Sequence, residues 1–398
     1  MPCSRCSGWC TGSRKKTPDR GQEGLILPRR GAARPSQPAR GRSDREVLLE
    51  LQYATVYSAR RSDGGRAREQ EIVLGTGIYL ITGGASLIGS HIADQLLAEG
   101  VGEVRLLDNY ALGTPSTIAH LDHEPRVRRI RGDVLRLPDL LEAAKEADGV
   151  FALAGYLTLP MAQDPLAGVS VNTLGMVNTL EACRFNRVRR VVFSSSVAVY
   201  GGAREHPITE ETGYVSAGLQ PASLLYGASK LMGEGLCARY ARSFGLEFNA
   251  LRFASVYGER QHARAVNAVF VAQVCDQVRR GEAPVIEGDG SEVHDYVYVT
   301  DVARACVLAM RGASHGHAFN VATGVDTSAT RVAEIAIELC GRRDLQPSYR
   351  EDRRTVRSAA GTRLGFSREK AARELGWEPR VSIEEGMRRL IEWQTTQS

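Results

Sequence analysis

The stretch Ile78-Tyr79-Leu80-Ile81-Thr82-Gly83-Gly84-Ala85-Ser86-Leu87-Ile88-Gly89-Ser90-His91 decides how this chain folds. An apolar run enters a glycine-rich turn, and across 91–98 the residues Ile92, Leu96 and Leu97 fall at helical spacing. The order is strand, glycine turn, helix. Gly83, Ser86 and Gly89 occupy the three positions of a G-x-x-G-x-x-G spacing. Such a turn lets a pyrophosphate reach backbone N–H groups at a helix N-terminus, where side chains would hold it away. Asp108 ends the next apolar run, Val104-Arg105-Leu106-Leu107. A carboxylate in that place accepts hydrogen bonds from an adenosine ribose and repels a 2′-phosphate, which favours NAD over NADP.

Working outward, further strands are expected around Ile130 before Gly132-Asp133, at 149–153, and at Val191-Val192-Phe193, with helical patterns between them. This alternation predicts an α/β fold with a Rossmann-type doubly wound parallel sheet. Beyond Arg252 the elements shorten and charge increases, while Tyr296-Val297-Tyr298-Val299 reads as a strand returning to the first domain. The expected organisation is a dinucleotide-binding domain of residues 72–255 and 293–320, and a smaller, discontinuous C-terminal substrate-binding domain of residues 256–292 and 321–398. No internal repeat is evident.

The 398 residues, 43% of them hydrophobic, suffice for a large buried core. Residues 1–70 carry a net charge of +8 and the remainder −3, so the folded part implies no nucleic-acid surface. Residues 1–71, rich in Arg, Gly, Pro and Ser, are expected to be a largely disordered leader, with at most a short element at 47–57. No Met occurs between Met1 and Met161. One reading makes the leader an upstream translation artefact with the start near Val73; the rival makes it an Arg-rich targeting tail, and the mass of the native N-terminus decides. No run of about twenty apolar residues and no signal core is present, so no membrane partner and a cytoplasmic location are expected. Cys183, Cys237, Cys275, Cys306 and Cys340 sit singly in apolar-patterned segments and read as reduced, buried residues. Cys3, Cys6 and Cys10 cluster without a second Cys/His pair, and no metal site is expected.

Tyr226-Gly227-Ala228-Ser229-Lys230 opens a long helical run with a phenol and an ammonium on one helix face. A Tyr hydroxyl ionises near pH 10, and a Lys one turn away is expected to lower that value, making a base for an alcohol proton. The spacing also occurs on ordinary surface helices, so the pair takes its weight from the rest of the chain.

Residues 77–396 resemble the extended short-chain dehydrogenase/reductase superfamily, and within it the NAD-dependent epimerase/dehydratase family acting on nucleotide-diphosphate sugars. The resemblance rests on the stretch above together with Leu107-Asp108-Asn109, Gly132-Asp133-Val134, Leu153-Ala154-Gly155, Val171-Asn172-Thr173, Ser194-Ser195-Ser196-Val197-Ala198-Val199-Tyr200-Gly201, Tyr226-Gly227-Ala228-Ser229-Lys230 and Asp295-Tyr296-Val297-Tyr298-Val299-Thr300-Asp301-Val302. It implies bound NAD. Gly83, Ser86, Leu87, Ile88 and Gly89 would lie along its pyrophosphate, Asp108 and Asn109 at the adenosine ribose, and Asp133 and Val134 at the adenine. Leu153, Ala154 and Gly155 would wall the nicotinamide half, supported by Asn172. Lys230 would bind the nicotinamide ribose, and Tyr226 and Ala254 count with the cofactor residues. Ser196, Tyr226 and Lys230 would be catalytic, Ser196 bonding the reacting sugar hydroxyl.

Relatives resembling hexose 4,6-dehydratases carry Asp and Glu after that Ser, and those resembling uronic-acid decarboxylases keep the Glu; here Val197 and Ala198 transfer no protons. Oxidation and reduction of one keto-sugar remain, which is C4 epimerisation. The alternatives are an NAD(P)H-dependent keto-sugar or other carbonyl reductase, then an NDP-sugar dehydratase or decarboxylase, or a non-catalytic NAD-binding protein. Departures from the family pattern bear on ligands. Ser86 replaces the middle glycine, so its hydroxyl either donates to a phosphate or lowers cofactor affinity; Ala152 stands where a His is common. Ser255 replaces a frequent Asn and His294 an Arg for the substrate diphosphate, a weaker anion ligand without the bidentate fork. Arg353, in Arg353-Arg354-Thr355-Val356-Arg357, resembles the family's other phosphate-binding Arg. The family commonly dimerises through a four-helix bundle, here expected from 166–183 and 225–244, with Leu174, Val177 and Leu236 as candidate contacts.

Overall fold

The computed structural model describes residues 74–261, 269–353 and 364–397. The expected leader, the element at 47–57, Cys3, Cys6 and Cys10, and the arginine run beyond Arg353 lie outside the described residues. Strands β1 (Ile78–Thr82), β2 (Glu103–Asp108), β3 (Val127–Arg131), β4 (Gly149–Ala152), β5 (Arg190–Ser196) and β6 (Glu247–Phe253) form a sheet with a later strand, β10 (His317–Val321). The order is β10-β6-β5-β4-β1-β2-β3, and every pair is parallel. Central strands are buried along nearly their whole length, as a sheet covered on both faces requires. The edge strand β3 instead carries Arg128, Arg129 and Arg131, charges that blunt an edge against further pairing.

Helix α1 (Leu87–Ala98) starts at the glycine turn and buries Ile92, Ala93 and Leu96. Helix α2 (Leu137–Ala143) links β3 to β4. After β4 come α3 (Thr158–Gln163), α4 (Pro165–Val169), a π-helical turn (Ser170–Gly175) and α5 (Met176–Asn186). The long helix α6 (Pro221–Phe244) begins with proline at its first position and stops at Gly245, whose φ of +69° suits an αL cap.

The remaining strands β7 (Ser255–Tyr257), β8 (Val285–Glu287), β9 (Val293–Tyr298), β11 (Asp326–Ser328) and β12 (Ser348–Arg350) make two small sheets. They pack with α7 (Val269–Arg279), α9 (Ala329–Leu339) and α11 (Ile383–Thr396) around a core of their own that includes Tyr257, Val274, Val332 and Leu390. The strand expected at 296–299 forms as β9 but does not return to the large sheet. It pairs with β7 and β11, and the chain returns through α8 (Val299–Arg311), which packs on α1, and through β10. Alternating Tyr and Val describe a strand without naming its partners, and here the partners came from elements far along the chain.

Cys183, Cys237, Cys275 and Cys306 are buried free thiols, whereas Cys340 is partly exposed at the end of α9. Among the described residues no helix is long and apolar enough to cross a membrane. A Cβ added at Gly89 would meet the carbonyl oxygens of Gly83 and Gly84 at 2.7 and 2.9 Å, whereas one at Gly235 would meet nothing within 4 Å. Gly89→Ala is therefore expected to cost about 1–3 kcal/mol by forcing α1 off its turn, and Gly235→Ala to add up to about 1 kcal/mol by helix propensity. Urea midpoints of the two variants moving the same way would contradict this.

Candidate active site

The strand order changes direction at β1, which has β2 on one side and β4 on the other. Loops leaving the carboxyl ends of these strands part there and leave a crevice. It is a cleft of about 200 Å³ lined by Gly83, Ser86, Asp108, Asn109, Asp133, Val134, Leu153, Ala154 and Gly155 among others. Tyr156 and Ala167 also line it and were not foreseen from sequence; Tyr156 directly follows the Leu153-Ala154-Gly155 motif, the signal that could have found it.

The chemistry of this cleft fits a dinucleotide. Gly83 has φ of +71°, and a Cβ there would stand 3.0 Å from the Ala154 backbone nitrogen. A Cβ at Gly155 would stand 3.2 Å from Asn172 Oδ1 and 3.5 Å from Lys230 Nζ, filling the space beside both. Leu87 and Ile88 lie in the first turn of α1, whose N-terminus favours an anion. Asp108 is buried at the end of β2, with Oδ2 accepting from Ala85 N at 3.0 Å and Oδ1 from Tyr110 N at 2.8 Å. Asn109 Nδ2 donates to Asp133 Oδ2 at 3.1 Å, and Asp133 Oδ1 accepts from Leu135 N, which ties the ends of β2 and β3 together.

Ser86 is the N-cap of α1. Its Oγ donates to the Gly83 carbonyl at 2.6 Å and accepts from Gly89 N at 3.2 Å. In the chain itself the hydroxyl proton is engaged inside the turn, and donation to a phosphate would require it to leave the Gly83 carbonyl. The cap also engages the Gly89 N–H, one of the donors at this helix end.

Asn172 sits in the π-helical turn. Its Oδ1 accepts from Tyr156 N at 2.7 Å, and its Nδ2 donates to Tyr156 O and Ser229 Oγ, each at 3.0 Å. It thereby ties the loop after β4 to α6. Ala254 is buried between β6 and β7 with its N–H bonded to Val321 O.

Ser196, at the end of β5, caps a 3₁₀ turn (Val197–Tyr200) by accepting from Ala198 N. Tyr226 and Lys230 are buried on α6, and Lys230 Nζ donates to Ser194 O at 2.7 Å, 5.8 Å from the Tyr226 ring centre. Burial pushes the Tyr226 phenol up to about 12, opposed by a hydrogen bond from Ser196. Burial pulls the Lys230 ammonium down to about 8, opposed by the charge of Glu234. Lys230, expected from its spacing to favour the phenolate, directs its proton at the Ser194 carbonyl, and the two influences on the phenol are burial, which raises it, and the Ser196 hydrogen bond, which lowers it.

On β7 and β9, Ser255 Oγ lies 3.2 Å from His294 Nδ1, and His294 Nε2 lies 3.1 Å from Glu292 Oε1. The two substitutions noted in the sequence are therefore neighbours in space. Arg353 is not brought to them; it is exposed, with its guanidinium on Glu351.

Lys230 holds its proton less tightly in the fold than in the unfolded chain, so the unfolded chain binds the extra proton between about pH 8 and 10.5. Stability contributed at this residue therefore rises with pH across that window. Lys230→Met is expected to remove that rise; identical urea midpoint profiles for parent and variant between pH 8 and 10 would refute it.

The family described as "NAD dependent epimerase/dehydratase family" matches residues 79–322. UDP-glucose 4-epimerase of Mycolicibacterium smegmatis is 34% identical over 319 residues, covering 79% of this chain and 97% of that protein. The crystal structure of UDP-glucose 4-epimerase with UDP-glucose from Thermotoga maritima superposes with a TM-score of 0.71 at 30% identity, covering 80% of this chain and 99% of that one. WbmF of Bordetella bronchiseptica, solved with NAD+, gives 0.67 at 27% identity over 81% and 94% of the two chains. Other relatives are named UDP-glucuronic acid decarboxylase and dTDP-glucose 4,6-dehydratase. Motif, sheet order and cleft agree with these likenesses, and the chain is an NAD-dependent enzyme of the epimerase/dehydratase family.

Proposed function

We propose that this enzyme is an isomerase that inverts C4 of a nucleotide-diphosphate hexose through a 4-keto intermediate. The carrying observation is that Ser196, Tyr226 and Lys230 meet at the end of β5 while the next two residues, Val197 and Ala198, offer no acid or base for loss of water or carbon dioxide. Gly83, Leu87, Ile88, Gly89, Asp108, Asn109, Asp133, Val134, Leu153, Ala154, Gly155 and Asn172 would hold NAD. NAD, when bound, supplies a hydride acceptor that can return what it takes, leaving no net redox change. In its phenolate form Tyr226 would take the C4 hydroxyl proton, directly or through Ser196, and as the resulting phenol would return it when the keto sugar is reduced on its opposite face. Ser196 orients that hydroxyl, Lys230 holds a positive charge beside it, and Ser255 and His294 face the remainder of the substrate. A second reading, an NAD(P)H-dependent keto-sugar reductase, is favoured by the burial that raises the Tyr226 phenol, since the phenol is the form that donates to a carbonyl oxygen.

The enzyme is read as a cytoplasmic homodimer. Reduced, mostly buried cysteines suit that compartment. Leu166, Leu174, Phe185 and Met232 expose large apolar surface on the α4-to-α5 segment and on α6, as a self-complementary helix face needs; Val177 and Leu236 are half-buried within the subunit.

Purified protein is expected to convert one of a panel of UDP-, dTDP- and GDP-hexoses to its C4 isomer in deuterated water without added nicotinamide and without deuterium on carbon. Loss of water or carbon dioxide would overturn the epimerase reading, and turnover only of a keto substrate with added NADH or NADPH would establish the reductase. Tyr226→Phe is expected to abolish turnover and retain NAD binding by titration calorimetry. Met232→Asp is expected to shift the sedimentation coefficient from dimer to monomer, and an unchanged value would remove this face from the interface.

A further inference from the structure

Three consecutive serines end β5, each tied to a different neighbour. Ser194 Oγ donates to Ala152 O at 3.0 Å while its carbonyl accepts Lys230 Nζ at 2.7 Å. Ser195 Oγ donates to Glu234 Oε1 at 2.5 Å, and the Ser196 side chain bonds Tyr226. Tyr226, Lys230 and Glu234 are spaced by four on one face of α6. Strand end and helix are therefore joined over two successive helical turns.

Lys230 is 6% exposed, and among the described residues no carboxylate forms a direct ion pair with it. An ammonium in such a place costs several kcal/mol without compensation. The compensating charge is that of Glu234, one turn along the helix. Glu234 is itself gripped by Arg252 of β6, with Nε at 3.0 Å from Oε1 and Nη2 at 2.8 Å from Oε2. Nη1 of Arg252 donates to Tyr200 Oη and Glu210 O, each at 2.9 Å, and Tyr200 Oη donates to Asn320 Oδ1 at 2.5 Å. The groups acting on the lysine are thus Tyr226 and Glu234 on α6 and, from β5, the Ser194 carbonyl and the Phe193 ring, whose centre is 5.2 Å from Nζ; Arg252 from β6 and Tyr200 from the 3₁₀ turn connect to it through Glu234.

We propose that Glu234, clamped by Arg252, is a positioning residue for the reacting centre: it supplies the counter-charge for the buried Lys230 ammonium and, through Ser195, fixes the strand end that presents Ser196. The proposal rests on the reading of Ser196, Tyr226 and Lys230 as that centre. Arg252 cancels part of the Glu234 charge, and without it Glu234 is still held by Ser195 Oγ. Removing either member of the pair therefore acts on Lys230 with opposite sign.

The chain has five lysines, Lys15, Lys16, Lys145, Lys230 and Lys370, so ¹³Cε-lysine NMR resolves Lys230, assigned by comparison with Lys230→Met. In the full-length protein saturated with NAD, Glu234→Gln is expected to move the Lys230 titration down by about one pH unit, and Arg252→Gln to move it up. Ser195→Ala is expected to leave the titration in place while lowering kcat. A Lys230 midpoint unmoved in Glu234→Gln, with melting temperature alone reduced, would make Glu234 merely structural and overturn the proposal; should that variant not fold, an unmoved midpoint in Arg252→Gln does the same. The lysine signal is read without substrate, so loss of the epimerase reading leaves this test standing.

Discussion

The parallel pairing of β1 with β2 on one side and β4 on the other is the constraint from which the site follows. Parallel strands need crossover helices, and where the direction of crossing reverses, neighbouring loops must diverge. The opening thus made is furnished by whatever residues end those strands, which here are Gly83, Asp108, Asp133 and Leu153 to Gly155. Ser86, by capping α1 inside the turn, shows that a side chain can be accommodated at this crossing if its hydroxyl satisfies the turn's own backbone.

Burial, more than the local pairing of charges, acts on Tyr226 and Lys230. Taken from water, Tyr226 and Lys230 are both driven toward their neutral forms. Ser196 works against this for the phenol and Glu234 for the lysine. The centre is held between a dry environment that disfavours charge and a few polar contacts that restore it, an arrangement suited to a group that must both accept and release a proton.

In the small sheet, Ser255, His294 and Glu292 form a hydrogen-bonded row on β7 and before and within β9. An imidazole held by a carboxylate presents less positive charge to a diphosphate than a free guanidinium does. Arg353, already engaged by Glu351 at the surface, does not stand beside it.

Much of the fold was legible because it is local: an apolar run, a glycine turn and an amphipathic helix declare themselves within twenty residues, and the strands at Val104, Ile130, Val150 and Val191 repeat that grammar. The cofactor motifs were legible for the same reason, since each lies at the end of one strand. Partnership was not. The placement of β9 in a separate sheet, the contact between Ser255 and His294, and the grip of Arg252 on Glu234 join residues 18 to 39 positions apart or strands from distant parts of the chain. Sequence spacing also placed Tyr226 and Lys230 on one helix face but not the dielectric around them. By itself, then, the sequence determined the doubly wound parallel sheet, the glycine turn and the family, because periodicity and turn chemistry act over a few residues. Only the tertiary structure decided how deeply Tyr226 and Lys230 are buried and what stands beside them, because desolvation and contact across strands are properties of the packed molecule.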